Sequence, residues 1–341
     1  MNVAVLGAGA WGTALAHLLA DKGDDVVLWA RRRDLCDAVN TSGENARYLP
    51  DIKLSKRIAC TTDVETAVKG AKMVVFVVPS HATREVARAA APFVHDDVPV
   101  VSATKGIETG SLMFMDEVLS AELPRPRRLA FLSGPSFARE LANRMPTAVV
   151  VAAHDADIGS RVMHQFHTPY LRTYASDDVV GVECGGALKN VIAIAAGAVD
   201  GMGFGHNSRA ALITRGLAEV AKLAMARGGS ALTLAGLAGM GDLVLTCTGE
   251  LSRNRTVGHE MGRGRSLEDV LASLGHVAEG VKTAKSAFEL SQKLGVAMPI
   301  TSEVYAVLYS GKPVAQAVKD LMSRELGYEF DPRAVARATL R

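Results

Sequence analysis

The chain is poor in most of what would announce a membrane protein, a metal centre or a nucleic-acid surface. It has four cysteines, Cys36, Cys60, Cys184 and Cys247, with no C-x-x-C among them. So sparse a set reads as reduced thiols of a cytosolic protein, not as disulfide partners or metal ligands. H-E-x-x-H and similar metal spacings are missing, and the nine histidines are dispersed. Neither sign of charge dominates: 38 basic and 36 acidic residues leave a formal net charge of +2. That balance excludes the one-signed field of a general nucleic-acid or membrane-surface binder, while leaving a local basic pocket open. No uncharged apolar run reaches the ~18 residues a bilayer-spanning helix requires. A strand is expected from Asn2 onward, which leaves no room for a signal peptide. Internal repeats and low-complexity tails are lacking too.

What is present is core. The chain has 341 residues, 48% of them apolar, and a mean hydropathy of +0.15. This argues against disorder and for one very large or two ordinary domains. Up to about residue 175, apolar β-branched runs alternate with helical patterns. The runs are 2–7, 25–30, 73–78, 98–103, 129–134 and 147–153, and the helical stretches lie near 11–22, 63–70, 81–91, 110–122 and 136–142. Continuously apolar strands are covered on both faces. The alternation predicts an α/β, doubly wound, Rossmann-like domain with a mostly parallel sheet. After "SDD" (176–178) the texture changes to long Ala/Gly/Leu-rich helical patterns at 187–201, 208–226, 282–294 and 300–311. We therefore expect a dinucleotide-binding domain over 1–178 and an all-α domain over 179–341.

The stretch "VLGAGAWG" (5–12) places Gly7, Gly9 and Gly12 as G-x-G-x-x-G between a strand and a helix. In that setting the first glycine permits a tight turn. The second lets backbone approach a pyrophosphate, and the third allows close helix–strand packing. At the end of the second strand, where NAD-preferring sites often carry an acid, stand Arg31, Arg32 and Arg33, followed by Asp34. Arginines there either grip a 2′-phosphate or form a solvated charge run that opens a helix. The first reading favours NADP(H), with NAD(H) also accepted.

In an open α/β sheet, ligands bind beyond the carboxyl ends of the strands. Three loops there carry notable residues: "VVPSH" (77–81), "SATKG" (102–106) with Lys105, and "LSGPSFA" (132–138) with Gly134 and Ser136. Lys105 is either a contact to a phosphate or substrate oxygen, or an ordinary loop lysine. Lys189 lies in "GGALKNVIAIAAGAV", apolar almost all round and so a buried helix. A buried ammonium pairs, loses its proton or snorkels out; lysines tuned by burial serve as general acids or bases. In "GMGDLVLTCTGELSRNR" (239–255), Asp242 and Thr246 share a helix face. Ser252, Arg253, Asn254 and Arg255 follow. A guanidinium beside Ser and Asn suits a phosphate monoester, or the segment is a polar loop capping a helix.

These clusters, in this order, resemble the NAD(P)-dependent glycerol-3-phosphate dehydrogenases, especially the bacterial type that feeds phospholipid synthesis. The resemblance runs from "GAGAWGTALA" to "PITSEVYAVLYSGK" (299–312) and is most specific at "ATKG", "SGPSFA.E", "GGALKNVIAI", "GMGDLVLTCT" and "SRNR". It implies a Rossmann-like domain followed by an all-α domain of the 6-phosphogluconate-dehydrogenase C-terminal-like kind, in a cytoplasmic homodimer without a metal. It implies that Lys189 accepts the proton in glycerol 3-phosphate oxidation and donates it in dihydroxyacetone phosphate reduction. Lys105, Gly134, Ser136, Lys189, Asp242, Ser252, Arg253 and Asn254 match the substrate positions, with Asn190 and Thr246 as further additions. Gly7, Gly9, Ala10, Trp11, Gly12, Arg31, Arg32, Lys105, Ala138, Arg253, Val277 and Glu279 match the cofactor side. Two positions depart. Relatives can carry Ser where Ala10 stands, which removes one side-chain donor to a pyrophosphate, and Thr or Asn where Ser136 stands. Two other readings remain: a similar two-domain dehydrogenase acting on a β-hydroxy acid or sugar phosphate, and a dinucleotide sensor without turnover.

Overall fold

A computed structural model of the chain describes residues 1–123, 128–274 and 278–329. The amino-terminal half opens with β1 (Asn2–Leu6), α1 (Ala10–Asp21), β2 (Asp25–Trp29), α2 (Arg33–Ser42), β3 (Ile58–Thr61) and α3 (Val64–Val68). It continues through β4 (Met73–Phe76), α4 (Ser80–Ala90), β5 (Val100–Ser102), α5 (Met115–Glu122), β6 (Leu129–Ser133) and α6 (Ala138–Ala142). It ends with β7 (Thr147–Ala152), α7 (Ala156–Phe166) and β8 (Leu171–Ser176). The strands form one sheet in the order β3-β2-β1-β4-β5-β6-β7-β8. All neighbours are parallel except β6 and β7. The order reverses at β1, so a crevice opens at the carboxyl ends of β1 and β4.

Both faces of the central strands are covered. Val3 and Val5 of β1 enter one apolar core, and Ala4 and Leu6 enter the core on the opposite face. That is why the run reads as continuously apolar. Two strands escape such a reading. In β3, Ile58 and Cys60 are buried while Ala59 is exposed; in β8, Leu171 and Thr173 are buried while Arg172 and Tyr174 are exposed. These are the sheet's edge strands, where alternation replaces the apolar run. Helices α2 and α7 likewise lie outside the expected stretches. Cys36 and Cys60, dispersed in sequence, meet in the core with their sulfurs 2.7 Å apart.

Past β8 the described chain is helical. The elements are α8 (Val179–Gly201), α9 (His206–Ala226), α10 (Ala231–Leu234), a π-helical turn Leu237–Gly241, α11 (Asp242–Thr248), α12 (Arg253–Gly262), α13 (Leu267–Leu274), α14 (Glu279–Leu294), α15 (Pro299–Tyr309) and α16 (Val314–Met322). Helices α9, α11, α12 and α14 pack around α8. Among the described residues α8 alone is long and apolar enough to cross a membrane, and it is mostly buried inside the fold. It begins eight residues before the expected 187. Gly181, Gly185 and Gly186 hide that start, and close packing explains two of them. A Cβ on Gly185 would sit 2.3 Å from the Ala238 oxygen, and one on Gly186 would sit 2.7 Å from the Ser133 hydroxyl.

Candidate active site

The glycine loop sits at the sheet's carboxyl edge. Gly7 has φ +126°, and a Cβ there would lie 2.7 Å from the Val77 carbonyl carbon. At Gly12 a Cβ would meet the Gly7 oxygen at 1.8 Å. Gly9, the N-cap of α1, differs: a Cβ there would meet no atom within 4 Å. The protein's own packing therefore requires the first and third glycines, and the second leaves the helix N-terminus open. No acid occupies the first turn of α1, so its positive end is uncompensated. Next to Ala10, the Trp11 indole Nε1 is buried without a hydrogen-bond partner. An open approach, a bare helix N-terminus and an orphaned donor fit a dinucleotide pyrophosphate.

The arginines after β2 play different parts. Arg32 caps α2 and holds the Asp34 carboxylate with two hydrogen bonds, of 3.0 and 2.6 Å. Arg31 is exposed and lies near His81 in "VVPSH", whose pKa is lowered by burial and by the charges of Lys282 and Arg31. Of Arg31 and Arg32, therefore, Arg31 has its guanidinium available to an anion.

At the next two strand ends the chain crosses from sheet to helices. Lys105 follows β5 and donates to the Gly134 carbonyl at 3.2 Å and to Asp242 Oδ2 at 2.7 Å. Gly134 follows β6 with φ +139°, and a Cβ on it would lie 3.0 Å from Val149 Cα. The Ser136 hydroxyl donates to the same Gly134 carbonyl at 2.9 Å, and Ala138 heads α6 just beyond. Asp242 heads α11 directly after the π-helical turn, a distortion that often accompanies functional sites. Its other oxygen, Oδ1, accepts from the Lys189 ammonium of α8. Thr246, one turn on, donates its hydroxyl to the Asp242 carbonyl at 2.6 Å. One carboxylate, 1% exposed, thus bridges two lysines from different parts of the fold.

The electrostatics follow from burial. Lys189 is 8% exposed. Desolvation pushes its ammonium down to about 8; Asp242 opposes the fall and Lys105 adds to it. Burial alone would raise the Asp242 carboxyl, but the charges of Lys105 and Lys189 hold it below the usual carboxylate range. The result is an ionised acceptor beside a lysine that can gain or lose its proton near neutrality.

The SRNR segment forms the start of α12. Ser252 is the N-cap and accepts from the Arg255 amide at 3.2 Å. Arg253 is exposed. Asn254 is buried; its amide donates to Asn190 Oδ1 at 2.9 Å, and its Oδ1 accepts from the Gly280 amide at 3.0 Å. It thereby joins α12 to the residue beside Lys189 and to α14. Glu279, the first residue of α14, has its carboxyl raised by burial against the opposing charges of Arg253, Lys189 and Lys105. It therefore sits among the site's cations. Val277 lies outside the described residues. Sequence reasoning passes over Asp200, which holds Arg255 by hydrogen bonds of 3.1 and 2.8 Å. The available signal is an acid about three helical turns beyond Lys189 on a helix with few other charges.

Comparison with known proteins agrees with this layout. The family model described as the NAD-dependent glycerol-3-phosphate dehydrogenase N-terminus matches residues 2–158. Its C-terminal counterpart matches residues 178–319. The chain is 53% identical over 327 residues to a glycerol-3-phosphate dehydrogenase (NAD(P)+) of Myxococcus xanthus, covering 95% of this chain and 98% of that one. It is 52% identical over 333 residues to the same-named protein of Syntrophotalea carbinolica, covering 97% and 100%. The crystal structure of glycerol-3-phosphate dehydrogenase from Coxiella burnetii superimposes with a TM-score of 0.91 at 39% identity, covering 95% of this chain and 99% of that one. With matches to both halves and a site assembled from both, the chain belongs to the NAD-dependent glycerol-3-phosphate dehydrogenase family.

Proposed function

We propose that the chain interconverts dihydroxyacetone phosphate and sn-glycerol 3-phosphate, supplying the latter for phospholipid synthesis, with Lys189 as general acid and base. When bound, the nicotinamide nucleotide supplies the hydride at C2. The protein must then orient the substrate, bind its phosphate and move one proton. Lys189 protonates the oxygen that develops on C2, and in the reverse direction its neutral amine removes that proton. Asp242 aims the Lys189 ammonium and holds Lys105 beside it. Arg253, exposed at the N-terminus of α12 between Ser252 and Asn254, clamps the phosphate. Binding energy from that remote group orients the carbonyl. Gly134 and Ser136 flank the substrate beside Lys105.

On the cofactor side, Gly7, Gly9, Ala10, Trp11 and Gly12 receive the pyrophosphate. Ala138 and Glu279 lie on the same side. Arg31 favours a 2′-phosphate, so NADPH is preferred and NADH accepted. The division into a dinucleotide domain (1–178) and a substrate domain (179–341) belongs to the same proposal, as do a homodimer and a cytoplasmic location. The observation that carries the reading is the Asp242 carboxylate shared by Lys189 and Lys105.

The test is oxidation of NADPH by dihydroxyacetone phosphate, followed by absorbance. Lys189→Ala should keep NADPH affinity and cut turnover roughly 10²–10⁴-fold, the range expected for a general acid. Unchanged turnover would sink the assignment.

A further inference from the structure

Asp200, Arg255 and the contact between α8 and α12 are unused in the mechanism above, although α8 and α12 carry its central groups. Lys189 and Asn190 lie in α8, while Ser252, Arg253 and Asn254 lie at the start of α12. The distance between the group that serves C2 and the group that serves the phosphate is therefore set by how these two helices are joined.

The join is tight along its length. A Cβ on Gly197 would lie 2.0 Å from the Arg255 oxygen, and one on Gly201 would lie 2.1 Å from the His259 oxygen. From the other side, a Cβ on Gly258 would lie 1.8 Å from the Ile194 oxygen, and one on Gly262 would lie 2.3 Å from the Ala198 oxygen. Two glycines one turn apart on each helix bring backbone against backbone, so neither helix can slide without a clash. The glycines fix the axial register. At the first turn of α12, where Arg253 is exposed, Gly197 meets the Arg255 carbonyl and Asn254 bonds to Asn190 and Gly280, but neither contact engages the Arg255 side chain.

Charge adds a further hold on that turn. Arg255 Nε and Nη2 donate to Asp200 Oδ2 at 3.1 and 2.8 Å. Arg209 of α9 donates to both oxygens of Asp200, at 3.3 and 3.2 Å. The Asp200 side chain is 11% exposed and that of Arg255 20%. This is a partly buried, multiply bonded pair, unlike a solvated surface contact. Asp200 sits about three turns along α8 from Lys189.

We infer that Asp200 and Arg255 are positioning residues that set discrimination for the phosphorylated substrate by holding Arg253 at a fixed distance from Lys189. They touch neither substrate nor cofactor and act through Arg253. The inference rests on the reading of Arg253 as the phosphate clamp.

The test compares kcat/KM for dihydroxyacetone phosphate with kcat/KM for dihydroxyacetone, using NADPH as reductant. A displaced Arg253 weakens only the phosphorylated substrate, whereas general loosening of the fold lowers both values together. Asp200→Asn should reduce the ratio about tenfold or more, with the dissociation constant for NADPH unchanged by fluorescence titration. Asp200→Glu, which keeps the charge, should restore part of the ratio. Should Asp200→Asn not fold, Arg255→Lys carries the same expectation, because lysine keeps the charge and loses the two-pronged geometry. An equal fall on both substrates, or an unchanged ratio, overturns the inference. So does a ratio lost in Arg255→Ala but kept in Asp200→Asn, because Arg255 would then touch the phosphate itself. Arg253→Ala is the separate arm: if it preserves the ratio, the clamp reading fails first. If it abolishes the ratio while the Asp200 variants keep it, only the present inference fails.

Discussion

At Lys189 two influences act on one proton. Burial removes water from the ammonium and lowers its affinity for the proton, while the ionised Asp242 partner raises it. Burial wins, and the group settles at about 8 instead of the ordinary 10.5. The direction of the pH dependence follows. With Lys189 as the proposed acid and base, reduction of dihydroxyacetone phosphate needs the protonated form, so its kcat should fall as pH rises through about 8. Oxidation of glycerol 3-phosphate needs the neutral amine, so its kcat should rise through the same region. Initial rates in both directions between about pH 6.5 and 10 test this. A limb of the same sign in both directions would remove Lys189 from proton transfer.

Among elements, the glycines of α8 and α12 pit propensity against packing. Replacing a mid-helix glycine by alanine gains about 1 kcal/mol of helix propensity. At Gly258 the added carbon would lie 1.8 Å from the Ile194 oxygen, and backbone cannot yield locally as a flexible side chain can. Overpacking of this kind costs about 1–3 kcal/mol or more, so the clash prevails. Gly258→Ala should lower the thermal midpoint by several degrees, the usual scale for such a loss. A raised midpoint would show that the helices separate freely.

The same glycines show where legibility ends. The strands β1, β2 and β4 and the helices α1, α9 and α14 are plain in the sequence, because their apolar patterns match their burial. The first turns of α8 are not, since Gly181, Gly185 and Gly186 read as a break, although the fold uses Gly185 and Gly186 for contact. Edge strands β3 and β8 escape notice because half of each faces water. At the site, Lys189, Lys105, Asp242 and Arg253 each carry a local signal. That one carboxylate takes both lysines has none, because the residues lie far apart in the chain. Residues of the same SRNR motif also differ in what they do. Arg253 is exposed, while the Ser252 hydroxyl caps α12 and Asn254 ties it to α8 and α14.

At the scale of the whole molecule, the Lys105–Asp242 contact is where sheet and helices share a charge. Lys105 comes from the strand-end loops, and Asp242 and Lys189 come from the helical half. Because Lys105 pushes the Lys189 pKa down, a residue of the first half tunes the proposed proton donor of the second. Lys105→Met keeps apolar bulk and removes the charge. With one ammonium fewer beside it, Lys189 should hold its proton more tightly. The inflection in the rate profile should then move above about 8, in addition to any loss of amplitude from the missing contact. Position and amplitude separate two roles. A lysine that only binds substrate would change KM and leave the inflection in place, whereas one that also tunes Lys189 must shift it upward. The comparison is kcat against pH for the parent and the Lys105→Met variant at saturating NADPH and dihydroxyacetone phosphate. An inflection that stays fixed or moves down would mean that the two halves meet at Asp242 without electrostatic coupling.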